Sequence, residues 1–101
     1  ALTPTEVHRA WDAGADLVKI FPIGNVGGPS YIKALKAPLP QVLMVATGGV
    51  SIENIAEFFE AGASAVAVGA DIVSKQALET GDYMKIENKT REFLSAALQA
   101  R

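Results

Sequence analysis

Shifting the chain by 48 residues lays "TPTEVHRAWDAGADLVKIF" (3–21) over "SIENIAEFFEAGASAVAVG" (51–69). A hydroxyl residue falls on a hydroxyl residue at the start, Trp11 on Phe59, and Ala13-Gly14-Ala15 on Ala61-Gly62-Ala63. Each copy is an amphipathic stretch, a glycine stop and a short apolar run, which reads as a helix followed by a buried strand. Strands that are apolar without alternation are buried on both faces, so the repeat calls for a parallel sheet covered by helices. Such duplications build (β/α)-barrels, and a doubly wound open sheet is the competing architecture.

The rest of the chain follows the same alternation. Thr3-Pro4-Thr5-Glu6 is a helix start, with Thr3 as cap, Pro4 at the first helical position and Glu6 completing a capping box. That helix runs through Val7, Ala10 and Trp11 to Ala13 and stops at Gly14. The first strand spans 16–21, and Gly24, Gly27, Gly28 and Pro29 form the loop after it. A short helix over 30–36 ends before Pro38 and Pro40, and a second strand over 42–46 closes on "TGG". Ser51 caps the next helix, whose Ile52, Ile55, Phe58 and Phe59 share one face. A third strand spans 63–68, followed by Gly69, a short helical segment to Leu78 and a last helix over 82–100. The opening "ALTP" reads as the tail of a further strand. Barrels of this kind have eight strands and about 250 residues. Residues 1–101 are therefore expected to be one unit, the C-terminal half of a (β/α)8 TIM-type barrel, carrying strands six to eight. Its free sheet edges and uncovered face predict self-association.

Composition narrows the function classes. The 101 residues carry a net charge of −2, and no basic stripe offers a footing for nucleic acid. No apolar run approaches the roughly 20 residues that cross a bilayer. There is no cysteine, which excludes disulfides and thiolate metal sites. A cytoplasmic location is the simplest expectation.

Two features carry chemistry. Lys19 interrupts the apolar run "ADLVKIF", and in the repeat it falls on Ala67, so the scaffold itself does not require an amine there. Inside a barrel, among Leu17 and Phe21, desolvation would disfavour the ammonium and leave a nucleophilic amine able to form an imine with a ketone. On an edge strand, the same lysine would simply face water. The second feature is the pair of turns Gly48-Gly49 and Gly69-Ala70 after successive strands. Loops after the seventh and eighth barrel strands commonly bind phosphate through backbone N–H groups, and the segment after Gly69 suits the short extra helix of such sites. The alternative is that these glycines only make tight turns.

The segments "ADLVKIFP", "GGPSYIKALKAPLPQV", "ATGGVSIENIAEFFEAGA" and "GDY" resemble the 2-keto-3-deoxy-6-phosphogluconate (KDPG) and 4-hydroxy-2-oxoglutarate aldolases, over essentially the whole chain. The resemblance implies that Lys19 forms the Schiff base with pyruvate, that Phe21 packs against the substrate and that the Thr47 hydroxyl lies near it. It also implies that Gly48 and Gly49, with Gly69 and Ala70, bind the phosphate. The implied activity is a class I aldolase of the Entner-Doudoroff type. It cleaves a 2-keto-3-deoxy sugar acid phosphate to pyruvate and glyceraldehyde 3-phosphate, or 4-hydroxy-2-oxoglutarate to pyruvate and glyoxylate. No metal is implied, and homotrimers are typical. The family's general base, a glutamate on an early strand, has no counterpart in these residues; Glu6, Glu53, Glu57 and Glu60 read as helix-surface carboxylates.

Three positions depart from the family pattern. Ala46 stands where proline often precedes "TGG", Ala70 where serine often follows the second-loop glycine, and "FPIG" where "FPAE" is familiar. The loss of the serine hydroxyl removes about 1 kcal/mol of hydrogen bonding to a phosphate, which leaves phosphorylated and unphosphorylated sugar acids both open. His8 and the Lys85 to Arg91 stretch read as solvated, and Trp11, Phe58, Phe59 and Phe93 as core. Two other readings stand beside the aldolase: another phosphate-binding barrel enzyme, an epimerase or synthase, in which Lys19 binds an anion, and a catalytically silent half-barrel assembly module.

Overall fold

At the start of the chain the Thr3 amide and hydroxyl both donate to Glu6 Oε1 at 2.9 Å, and the Glu6 amide donates back to the Thr3 hydroxyl. This reciprocal capping, with proline at the first position, starts helix α1 (Pro4–Asp12) as expected. The computed structural model describes residues 1–101. It continues with strand β1 (Val18–Ile20), helix α2 (Pro29–Lys36), β2 (Met44–Thr47), α3 (Ile55–Ala61), β3 (Ala65–Ala67), α4 (Lys75–Thr80) and α5 (Tyr83–Ala100). A single 3-10 turn, Ile23–Val26, lies between β1 and α2.

The three strands form one parallel sheet in the order β1-β2-β3, with Lys19 opposite Val45 and Val45 opposite Ala65. The chain also lies alongside β1 at its very start. The Ala1 nitrogen donates to the Lys19 carbonyl at 2.9 Å, and the Phe21 amide donates to the Ala1 carbonyl at 3.2 Å. Those two bonds bracket Ile20 as a rung of a parallel ladder does. The strand tail expected at "ALTP" is thus present as one paired residue.

Side chains alternate across the strands. Val18, Ile20, Met44 and Ala46 point to one face and are buried with Ile32 and Leu35 of α2 and Ile55 and Phe58 of α3. Leu17, Lys19, Phe21 and Leu43 stand on the other face and are exposed, Leu17 by 49% and Phe21 by 51%. No helix covers that second face, so within these residues the α/β architecture is a parallel sheet with its helices on one side.

Several expectations shift in detail. Ser51 was expected to cap α3 directly, and regular helix begins only at Ile55. The cap chemistry is nevertheless there, because the Ser51 amide donates to Asn54 Oδ1 at 2.7 Å and the Asn54 amide to the Ser51 hydroxyl at 3.3 Å. The helical segment expected immediately after Gly69 is instead a turn, in which the Ile72 and Val73 amides both donate to the Gly69 carbonyl. Ser74 accepts from the Ala77 amide and starts α4 at Lys75. Phe58 and Phe93 are core, whereas Trp11 and Phe59 are only half-buried at its margin. No helix is long and apolar enough to cross a membrane.

Candidate active site

Because all three strands run the same way, the segments that follow them emerge at one end of the sheet, where parallel α/β folds carry their ligands. An open cleft of about 440 Å³ lies there. Phe21, Thr47, Gly48, Gly49, Gly69 and Ala70 all line it. Lys19 stands on the same sheet face, one pleat below, with its Nζ 4.9 Å from the centroid of the Phe21 ring. The seven residues singled out in the sequence therefore come together at one end of one face. The expected enclosure of Lys19 is not found: its side chain is exposed, because the uncovered face offers it only Leu17, Phe21 and the neighbouring strands. The extra helix expected to aim its N-terminus at the second loop is also absent, since α4 begins six residues beyond Gly69.

The first loop is built by backbone contact. Gly48 and Gly49 have φ of 84° and 98°, a region that L side chains rarely adopt. A Cβ on Gly48 would lie 3.0 Å from the Cδ2 and Cε2 atoms of Phe21, so one edge of the ring lies against this glycine. The Gly24 amide donates to the Gly48 carbonyl at 2.7 Å, and Asn54 Nδ2 donates to the Gly49 carbonyl at 2.9 Å. The loop's carbonyls are thus held by the protein. Its amides are not: those of Gly48, Gly49, Val50, Gly69 and Ala70 donate to no acceptor within the chain. Val50 is only 3% exposed, and a backbone donor left without a partner in such a residue is costly unless something enters to accept from it. A cleft rimmed by unpaired amides can take an anion, and the glycines let that anion approach the backbone.

The residues missed in the sequence are Val50, Asp71 and Asn54. Asp71 is the one carboxylate lining the cleft. Its only signal was its place directly after Gly69-Ala70. Asn54 carried a signal, three residues after Ser51, but one that reads as a helix cap. The two carboxylates held below their ordinary value of 4.5 lie elsewhere. Glu6 is lowered by hydrogen bonds from the Thr3 backbone and hydroxyl and from Leu2, Glu53 by its own backbone amide and the Ser51 hydroxyl. No group of three or more histidine, cysteine or acidic side chains is arranged to hold a metal ion.

The chain is 48% identical over 71 residues to the 2-dehydro-3-deoxy-6-phosphogalactonate aldolase of Escherichia coli (strain K12), covering 69% of this chain and 34% of that protein. It is 30% identical over 97 residues to the 2-dehydro-3-deoxy-phosphogluconate aldolase of Pseudomonas aeruginosa, covering 96% of this chain and 44% of that one. The solved structure described as "Native KDPGal structure" superposes with a TM-score of 0.84 at 37% identity, over 99% of this chain and 47% of its own. The chain spans less than half the length of each of these relatives. The family model described as "Aldolase: KDPG and KHG aldolase" matches residues 1–89. With that match across the lysine strand and both glycine loops, the chain belongs to the KDPG and KHG aldolase family.

Proposed function

We propose that residues 1–101 are the C-terminal half of a (β/α)8 class I aldolase, carrying strands six to eight, and that the N-terminal half encloses Lys19. The substrate class is a 2-keto-3-deoxy sugar acid, with 4-hydroxy-2-oxoglutarate as a shorter relative. A terminal phosphate would rest on the loops at Gly48-Gly49 and Gly69-Ala70. The working form is a homo-oligomer, a trimer by analogy with the family, in the cytoplasm.

In this reading the Lys19 amine adds to the C2 ketone and water leaves, giving a protonated imine. A base takes the C4 hydroxyl proton and the C3–C4 bonding pair moves into the imine, leaving an enamine on Lys19 and releasing the aldehyde. A proton then returns to C3, and water hydrolyses the imine to free pyruvate and the amine. The Phe21 ring would support the imine end and the Thr47 hydroxyl would face the keto acid. The base is assigned to the N-terminal half.

The single observation supporting this reading is the convergence of the amine, the ring and both glycine loops at one end of one sheet face. A second reading, in which Lys19 only binds a substrate anion in another phosphate-handling barrel enzyme, draws on the exposure of its side chain. Pyruvate and sodium borohydride added to the barrel completed with its N-terminal half separate the two. A permanent mass adduct at Lys19, lost in Lys19→Arg, is the expected result; no adduct would leave the anion-binding reading standing. Residues 1–101 alone are expected to turn over no keto-acid aldol.

A further inference from the structure

A trans peptide holds its C=O and N–H pointing in opposite directions. Whatever grips the carbonyl of a loop peptide therefore also aims the amide of the next residue. In the first glycine loop both carbonyls are gripped from outside the loop. Gly24 N–H holds the Gly48 carbonyl at 2.7 Å, which orients the peptide carrying the Gly49 amide. Asn54 Nδ2 holds the Gly49 carbonyl at 2.9 Å, which orients the peptide carrying the Val50 amide. These two amides have no acceptor in the chain, and both residues line the cleft.

We propose that Asn54 and Gly24 are positioning residues that lock these two peptide planes so that the Gly49 and Val50 amides receive an anionic oxygen of the ligand. The inference rests on the anion-site reading above and deepens it.

Each contact has a reason to be what it is. Asn54 uses its two ends separately: Oδ1 accepts from the Ser51 amide at 2.7 Å and so belongs to the start of α3, while Nδ2 reaches the loop. An amide side chain carries its acceptor and its donor on separate atoms, so one group meets both partners. Gly24 is tight for a different reason. A Cβ there would lie 3.1 Å from both the Gly48 carbonyl oxygen and the Gly49 Cα, so the loop backbone would have to give by a few tenths of an ångström. Gly24 has no positive φ, so alanine at this position acts through that contact alone and not through backbone strain.

The variant Asn54→Asp separates the two functions of that side chain. It keeps the acceptor for the Ser51 amide, and with it the cap, and removes the donor to the loop. The probe is inorganic phosphate, titrated into residues 1–101 while backbone amide shifts are followed, in about 0.5 M salt so that the added carboxylate is screened. In the unaltered chain phosphate moves the Gly49 and Val50 amides and slows their hydrogen exchange. In Asn54→Asp the phosphate affinity falls about tenfold, the size of one lost hydrogen-bonded contact. The uncharged Gly24→Ala weakens phosphate in the same direction, and a merely structural role for either residue would leave that affinity alone. Asn54→Asp and Gly24→Ala chains that bind phosphate as the unaltered chain does overturn the positioning role while keeping the anion site. An unaltered chain whose Gly49 and Val50 amides ignore phosphate overturns both.

Discussion

The Lys19 ammonium nitrogen lies over the Phe21 ring, 4.9 Å from its centre, and one edge of that ring lies against Gly48. One aromatic side chain therefore connects the amine on β1 with the loop after β2. A ring beneath an exposed cation contributes about 0.5–1 kcal/mol. Phe21→Ala is expected to slow borohydride-trapped pyruvate addition at Lys19 two- to fivefold in the completed barrel, read by mass spectrometry against time. An unchanged trapping rate would show that the ring does not position the amine.

Gly48 has no room for a side chain. Its φ of 84° costs an L residue about 1–2 kcal/mol, and an added Cβ would strike the Phe21 ring at 3.0 Å and approach the Pro22 Cα at 3.3 Å. Gly48→Ala should lower unfolding stability by about 1–3 kcal/mol in denaturant titration. A loss below a few tenths would mean that the loop relaxes freely.

Asp71 places a carboxylate on the wall of the cleft whose amides suit an anion. Its charge opposes a phosphate there, weakly because the residue is exposed and screened. Asp71→Asn is expected to tighten phosphate binding about two- to threefold at low salt, with the gain disappearing as salt is raised. Weaker phosphate binding in that variant would instead make Asp71 a partner of the ligand's hydroxyl groups.

The box at the start of α1 sets a pH dependence. Hydrogen bonds from Thr3 and Leu2 hold the Glu6 carboxyl below 4.5. A group whose folded value is depressed stabilises the fold fully above its unfolded value and loses that contribution as the pH falls through the folded one. Thermal melts of the unaltered chain and Glu6→Gln should therefore differ most above about pH 5 and converge in more acidic buffer. A difference that grows with acidity would contradict the assignment.

Local chemistry was legible in the sequence wherever its partners lie within a few residues. Thr3 and Glu6 are three apart, and their box formed as expected. The strands followed from apolar runs, and the gathering of both glycine loops followed from their common position after parallel strands, while Phe21 and Thr47 were implied only by the family resemblance. What could not be read depends on what is far away or absent. Whether Lys19 is wrapped in apolar side chains is decided by what faces the uncovered side of the sheet, not by Leu17 and Phe21. The extra helix after Gly69 was misjudged because the residues directly after it close into a turn on the Gly69 carbonyl and Ser74 caps α4 beyond it. Asn54 was missed because its bond to Gly49 depends on how the loop turns back toward α3.

The rung formed by Ala1 beside Ile20 fixes a direction of exit. Residues joined ahead of Ala1 would travel down alongside β1, toward the end of the strands farthest from the cleft. With residues 1–101 alone, an affinity tag, a dye or a tether to a solid support joined ahead of Ala1 would hang from the underside, leaving the mouth of the cleft clear for ligand titrations on an immobilised sample.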